Sequence, residues 1–123
     1  MSKMLLSIKP QFAKIILEGK KKYEFRKCKP KNDVNQIIFY ASFPQKQVVG
    51  EAMIDEILEG TPSEIWEIAK TAAGITKQFY FSYYAGKDKA FAYKLKDVEI
   101  YKTPKELSDY GINQAPQSFV YLD

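Results

Sequence analysis

The chain has 123 residues, of which 46% are hydrophobic and 28% charged. This length suits one hydrophobic core, and we expect a single domain over residues 1–123. No apolar run approaches the roughly 20 residues that a membrane-spanning helix needs, so we expect no membrane partner. The chain has no histidine and one cysteine. We therefore exclude histidine-based catalysis, expect no metal or other cofactor, and predict a reducing, cytoplasmic location.

Charge is unevenly distributed along the chain. Residues 1–31 contain ten basic and two acidic side chains, whereas the other 92 residues contain nine basic and thirteen acidic ones. The first segment therefore carries a net charge of +8 and the remainder −4. A localised positive face suits an anionic partner such as nucleic acid, and a solvated lysine-rich surface is an equally weighted alternative.

In chain order, short apolar and alternating runs predict more strands than helices. A buried strand at Met4–Ile8 is followed by a helix that begins at Pro10 and ends at Gly19. Residues 21–27 alternate and predict a strand with one charged, solvent-exposed face. Further strands are predicted at residues 36–41, 47–58, 89–101 and 119–122.

The remaining elements of the prediction are a bend and three helices. Gly50 predicts a bulge where its long strand curves. Helices are predicted at residues 61–74, where Ile65, Ile68 and Ala69 should face inward, at residues 76–84, and near residues 103–107. Because helices do not separate every pair of strands, we expect an α+β fold with a mostly antiparallel, curved sheet or small barrel.

The charged residues best suited to binding or catalysis cluster between the end of the first helix and the strand predicted at residues 21–27. Glu24 and Arg26 project to the same side of that strand. A carboxylate among cations stays ionised and can orient the guanidinium to grip a phosphate or base edge bidentately. Lys21 lies in the preceding turn or points to the opposite face. An exposed surface ion pair is the alternative, which the spacing alone slightly favours.

Aromatic and amide side chains supply further candidates. Five aromatic residues at positions 79–84 cannot all face the core. We predict that most of them pack inside and that Tyr84 is exposed and stacks on a base. Gln117, just before the last strand, can read a base edge, with ordinary turn chemistry as the alternative. Cys28 has basic neighbours but no histidine partner, so a thiol nucleophile is not expected.

The sequence also resembles a known family. The G-x-K-x-x-E-x-R motif of ASCH domains matches Gly19, Lys21, Glu24 and Arg26. Three further segments resemble that family in the same order: residues 7–10, 40–50 and 116–121. The resemblance covers nearly the whole chain and points to a small, stand-alone subgroup, some members of which are described as predicted transcriptional regulators.

The resemblance implies a PUA-like β-barrel with short flanking helices and a role in RNA metabolism or regulation. It places the binding site in a cleft beside the first helix, lined by Lys21, Glu24 and Arg26. On segment similarity alone, three further residues are expected in it: Lys9, Ser42 and Gln117. The expected partner is RNA, a nucleotide or a modified nucleoside.

Some ASCH proteins are enzymes, which leaves a second hypothesis. One branch of the family resembles an amidohydrolase that removes the acetyl group from N4-acetylcytidine, with the motif lysine, a threonine and a distant glutamate. This chain has Glu24 in place of that threonine, so the hydroxyl is missing. A ribonuclease activity has also been attached to the family. The leading hypothesis is an RNA- or nucleotide-binding module, and the alternative is a small hydrolase with Lys21 and Glu24 as catalytic pair.

The shape of the site separates these hypotheses. A pocket the size of one base favours an enzyme or a reader of modified bases, whereas an open groove favours strand binding. A third hypothesis is a protein-interaction domain that uses the aromatic helix. It requires a large apolar patch around residues 79–84 and no deep cleft near Glu24.

Overall fold

The computed structural model describes residues 2–31 and 33–122, which form six strands and three α-helices. The strands are β1 (Ser2–Ile8), β2 (Tyr23–Arg26), β3 (Val34–Ala41), β4 (Gln47–Gly60), β5 (Ala90–Lys105) and β6 (Phe119–Leu122). The helices are α1 (Pro10–Leu17), α2 (Pro62–Ala69) and α3 (Lys77–Tyr83). Two short 3₁₀ helices, Lys70–Ala72 and Leu107–Tyr110, follow α2 and β5.

All six strands belong to one sheet in the order β2-β5-β4-β3-β1-β6. The pairing of β1 with β3 is parallel, and the other four pairings are antiparallel. The predicted mostly antiparallel sheet with short helices is therefore confirmed. Arg26, at the end of edge strand β2, donates to the Ser7 carbonyl and to Ser118, just before edge strand β6. The sheet thus curls into a half-barrel, and a seam lies between its two edges.

The predicted bulge at Gly50 is confirmed and explains how α1 reaches the sheet. The pairing of β4 shifts register around this glycine against both β3 and β5. A Cβ at this position would lie 2.5 Å from the Glu99 carbonyl oxygen and 2.6 Å from a methyl group of Leu17. Glycine therefore lets the end of α1 pack directly on β4.

The core has two main parts. Aliphatic and aromatic side chains of β1, β3 and β5 pack against Ala13 and Ile16 of α1. The second part is mainly aromatic and packs α2 and α3 against β2 and the start of β5. In it, the centroid of the Tyr80 ring lies 5.0 Å from that of Phe25 and 4.8 Å from that of Trp66. Phe25 of β2 belongs to this second part, so β2 is paired with β5 and packs against α2 and α3.

Two details of the helix predictions are wrong. Ile68 is 57% exposed, whereas Trp66 is buried with Ile65 and Ala69. At about 3.6 residues per turn these three cluster on one face and Ile68 falls to its side. The helix predicted at residues 103–107 begins only at Leu107, because β5 continues to Lys105, which pairs with Val48 of β4.

Candidate functional site

A cavity of about 400 Å³ opens at the seam of the half-barrel, beside α1. Its walls come from the end of β1, the start of α1, β2, α3 and the segment at residues 115–117. Six of the seven residues predicted to bind a ligand line it: Lys9, Lys21, Glu24, Arg26, Ser42 and Gln117. The curled sheet brings these residues together from four separate parts of the chain.

Glu24 and Arg26 form a buried ion pair on one wall of the cavity. The Nε atom of Arg26 donates to Oε2 of Glu24 at 2.9 Å, and Nη2 lies 2.8 Å from the same oxygen as an ion-pair contact. The Glu24 side chain is 7% exposed and that of Arg26 is 17% exposed. The prediction that this face of the strand is solvent-exposed is therefore wrong, because the curl of the sheet brings β1 and the segment before β6 across it.

The guanidinium of Arg26 also connects the two edges of the seam. Its Nη2 donates to the Ser7 carbonyl oxygen at 2.9 Å, and its Nη1 lies 3.5 Å from the Ser118 hydroxyl oxygen. Within the described residues, these hydrogen bonds and the contacts with Glu24 leave at least one N–H of Nη1 for a ligand. A bidentate grip on a phosphate, as the sequence suggested, would require Arg26 to release Ser118.

Lys21 is buried at the floor of the cavity, immediately after the turn that ends α1. The residue is 3% exposed, and its ammonium donates to the Ala73 carbonyl oxygen at 2.8 Å. The rings of Phe25 and Phe12 flank it at 4.6 and 5.8 Å. Burial lowers the pKa of Lys21 from 10.5 to about 8; Glu24 opposes this shift and Arg26 adds to it. A neutral amine is therefore accessible near neutral pH.

The segment after α2 holds Lys21 in place. The backbone N–H of Lys22 donates to the Ala72 carbonyl at 2.9 Å, next to the bond from Lys21 to Ala73. Gly74, with a φ of +70°, approaches so closely that a Cβ there would lie 2.5 Å from the Lys21 Cβ. Sequence reasoning identified Gly74 only as a helix end, since no local pattern links it to a lysine more than fifty residues away.

The prediction that Tyr84 is exposed is wrong. Tyr84 is 2% exposed, and its hydroxyl donates to the Arg26 carbonyl at 2.8 Å. Residues four apart share a face of α3, so Tyr80 and Tyr84 point inward while Phe79 and Tyr83 line the cavity. The four-residue spacing in the sequence could therefore have identified Phe79 and Tyr83 as residues of the cavity wall. The protein-interaction hypothesis required that no deep cleft lie near Glu24. The cavity lined by Glu24 therefore speaks against that hypothesis.

Three further predictions concern Cys28, metal binding and membrane-spanning helices. Cys28 is exposed and does not line the cavity. Within residues 2–31 and 33–122, no group of three or more His, Cys, Asp or Glu side chains is arranged to hold a metal ion. In the same part of the chain, no helix is long and apolar enough to cross a membrane.

Replacing Lys21 with methionine is expected to remove a pH dependence of stability. Between about pH 8 and 10.5 the unfolded chain keeps a proton that folded Lys21 has lost, so wild-type stability rises with pH across this window. Below pH 8 both states carry the proton, and the difference between the two proteins stays constant. Urea unfolding near pH 7, 9 and 10.5 measures the free energy of unfolding of both proteins. If the difference between wild type and Lys21→Met is the same at all three pH values, the burial of a charged Lys21 is contradicted.

The curled six-stranded sheet, with its parallel β1/β3 pair and a cleft beside α1, is that of a PUA-like domain. The chain belongs to the ASCH domain family and to the family described as a domain of unknown function (DUF365), whose model matches residues 5–114. A crystal structure of ASCH from Zymomonas mobilis matches with a TM-score of 0.89 and 32% identity, over 98% of this chain and 87% of that one. The predicted fold class and family are thereby confirmed.

Two relatives extend the comparison. The ASCH domain-containing ribonuclease of Zymomonas mobilis is 34% identical over 122 residues, which cover 96% of this chain and 82% of the relative. The large ribosomal subunit protein uL22 of Ureaplasma parvum is 35% identical over 120 residues, or 97% of this chain. This chain spans only 39% of the length of that ribosomal protein.

Proposed function

We propose that this chain is an RNA- or nucleotide-binding module that takes a single base into the cavity at the seam. The observation that carries the proposal is the convergence of Lys21, Glu24 and Arg26 on one concavity of about 400 Å³. This volume lies in the range of roughly 300–1,000 Å³ that is usual for small-ligand pockets. A site of this size suits one base better than an extended strand.

The cavity offers both contacts that a base requires. Phe12 and Phe79, 5.4 Å apart in an edge-to-face arrangement, line the cavity with Phe25 and Tyr83, and a flat ring can stack on such walls. At the polar end, the Glu24 carboxylate accepts hydrogen bonds and the Lys21 ammonium donates them. Because Arg26 contacts only Oε2 of Glu24, the other carboxylate oxygen is not used by the ion pair.

The names of two relatives favour RNA over other anionic partners. One is called a ribonuclease, and the other is a ribosomal protein with a segment similar to this chain. The charge of +8 on residues 1–31 supports the same class of partner. Regulation of transcription and a cytoplasmic location stay predictions.

The test is to titrate single nucleosides and a short single-stranded RNA with wild-type protein and two variants. Lys21→Ala removes the donor at the cavity floor and should weaken both ligands at least about tenfold, the value expected for a bond from a charged donor. Lys22→Ala is the matched control, because Lys22 is adjacent and exposed and does not line the cavity. Equal weakening by both variants, or no binding at low salt, would contradict the proposal.

A second candidate function, hydrolysis, is favoured by the lowered pKa of Lys21. An amine with a pKa of about 8 can act as a general base near neutral pH. In RNA cleavage, it would take the proton of a 2′-hydroxyl while that oxygen attacks the adjacent phosphorus. The bond from phosphorus to the 5′-oxygen breaks, and the departing oxygen takes up a proton from water. In amide hydrolysis, the Lys21 amine would activate a water. The same incubations, analysed for cleaved RNA or deacylated nucleoside, distinguish catalysis from binding: Lys21-dependent product supports hydrolysis, and intact ligand supports binding alone.

A further inference from the structure

Three cations of the basic first segment lie within 4.0 Å of a carboxylate oxygen. Arg26 pairs with Glu24, Lys29 lies 3.3 Å from Glu59, and Lys20 lies 3.8 Å from Glu18. Within residues 2–31 and 33–122, Lys9 and Lys27 have no carboxylate oxygen within 4.0 Å. These two cations keep their full attraction for an external anion.

One of these lysines lines the cavity, and the other contacts a residue that lines it. Lys9 lines it directly, one residue before α1 begins. Lys27 is the first residue after β2, and its ammonium lies 4.6 Å from the ring centroid of Tyr83, which lines the cavity from α3. The Tyr83 ring thus holds the exposed Lys27 cation beside the opening. Among the described residues that line the cavity, Glu24 is the one acidic residue and is paired with Arg26, so the rim is positive.

We propose that the rim between Lys27 and Lys9, which we call the phosphate rim, binds the sugar–phosphate backbone of a single-stranded RNA while one base of that strand occupies the cavity. This surface rests on the proposed function. A base that enters the cavity leaves its two flanking phosphates at the opening, within reach of Lys9 and of Lys27 beside Tyr83, neither of which pairs with a carboxylate of the described residues. The strand must be single, because a base paired and stacked in a duplex cannot enter.

The test compares the salt dependence of binding for a six-nucleotide single-stranded RNA and for nucleosides, which lack phosphate. Each lost phosphate contact lowers the slope of log K against log salt by about 0.7 for single strands. Lys27→Ala should therefore weaken the RNA, flatten its slope by about 0.7, and leave nucleoside affinity unchanged. Lys29→Ala is the matched control, because Lys29 is an exposed lysine two residues further along that is paired with Glu59.

The outcomes separate the two proposals. If nucleosides bind but Lys27→Ala leaves the RNA slope unchanged, or Lys29→Ala flattens it equally, the phosphate rim is wrong and the base-binding cavity stands. If nucleosides fail to bind while the RNA slope still depends on Lys27, the base-binding cavity is wrong, and only the contact of Lys27 with phosphate stands. Equal affinity for a duplex of the same length, or displacement of the RNA by an acidic peptide at equal charge, would also overturn a rim built for single strands.

Discussion

Arg26→Ala is expected to lower the free energy of unfolding by about 3 kcal/mol, the lower end of the range for breaking a buried ion pair. The substitution leaves the Glu24 carboxylate, 7% exposed, without its cationic partner. It also removes the contacts that join β2 to the Ser7 carbonyl and the Ser118 hydroxyl across the seam. Urea unfolding measures the loss, and the seam should become more accessible to hydrogen exchange at β6 than at β4.

Two further variants separate the buried charge from other effects. Adding Glu24→Gln to Arg26→Ala removes the uncompensated charge and should restore part of the lost stability. Lys70→Ala breaks an ion pair of the same 2.8 Å length with Glu67, but that pair is exposed and should contribute below about 0.5 kcal/mol. An Arg26→Ala effect as small as that of Lys70→Ala would show that the seam does not depend on the guanidinium.

The succession of strands along the chain was predictable because each strand carries its own local pattern. The last strand was predicted with the bounds that the structure shows, residues 119–122, and the bulge at Gly50 was predicted from a single glycine in a β-branched run. The errors occur where tertiary pairing outweighs a local signal. At Thr103 and Pro104, a proline preceded by threonine indicated a helix start, but pairing with β4 extends the strand past both residues. The part of β5 beyond Leu95 has no pairing with β2, so its free edge tolerates the missing N–H of proline.

The candidate site was predictable only as far as the motif reaches. The spacing of Glu24 and Arg26 placed both on one side of β2, and the structure shows them bonded there. Their burial was not predictable, because it depends on chain segments that lie more than ninety residues away at Ser118. The prediction chose Tyr84, but the helical phase buries Tyr84 and places its neighbour Tyr83 in the cavity wall.

Gly74→Ala is expected to be among the most disruptive substitutions at the site, although position 74 bears no chemically active group. Alanine pays about 1 kcal/mol for the left-handed conformation at φ +70°. Its Cβ would also lie 2.5 Å from the Cβ and 2.7 Å from the Cγ of Lys21. Overpacking of this kind costs about 1–3 kcal/mol, so we expect a total loss of about 3 kcal/mol in urea unfolding. Lys21 would move away from Ala73, and nucleoside binding should fall as it does in Lys21→Ala.

Gly86→Ala is the control that isolates the contact with Lys21. Gly86 has a φ of +78°, close to that of Gly74, but a Cβ there would meet nothing within 4 Å. The control should therefore lose only about 1 kcal/mol, the cost of the backbone conformation, and keep its ligand affinity. The difference between the two variants then measures the clash with Lys21. If Gly74→Ala and Gly86→Ala lose the same stability and both bind nucleosides as wild type does, the segment after α2 does not position Lys21.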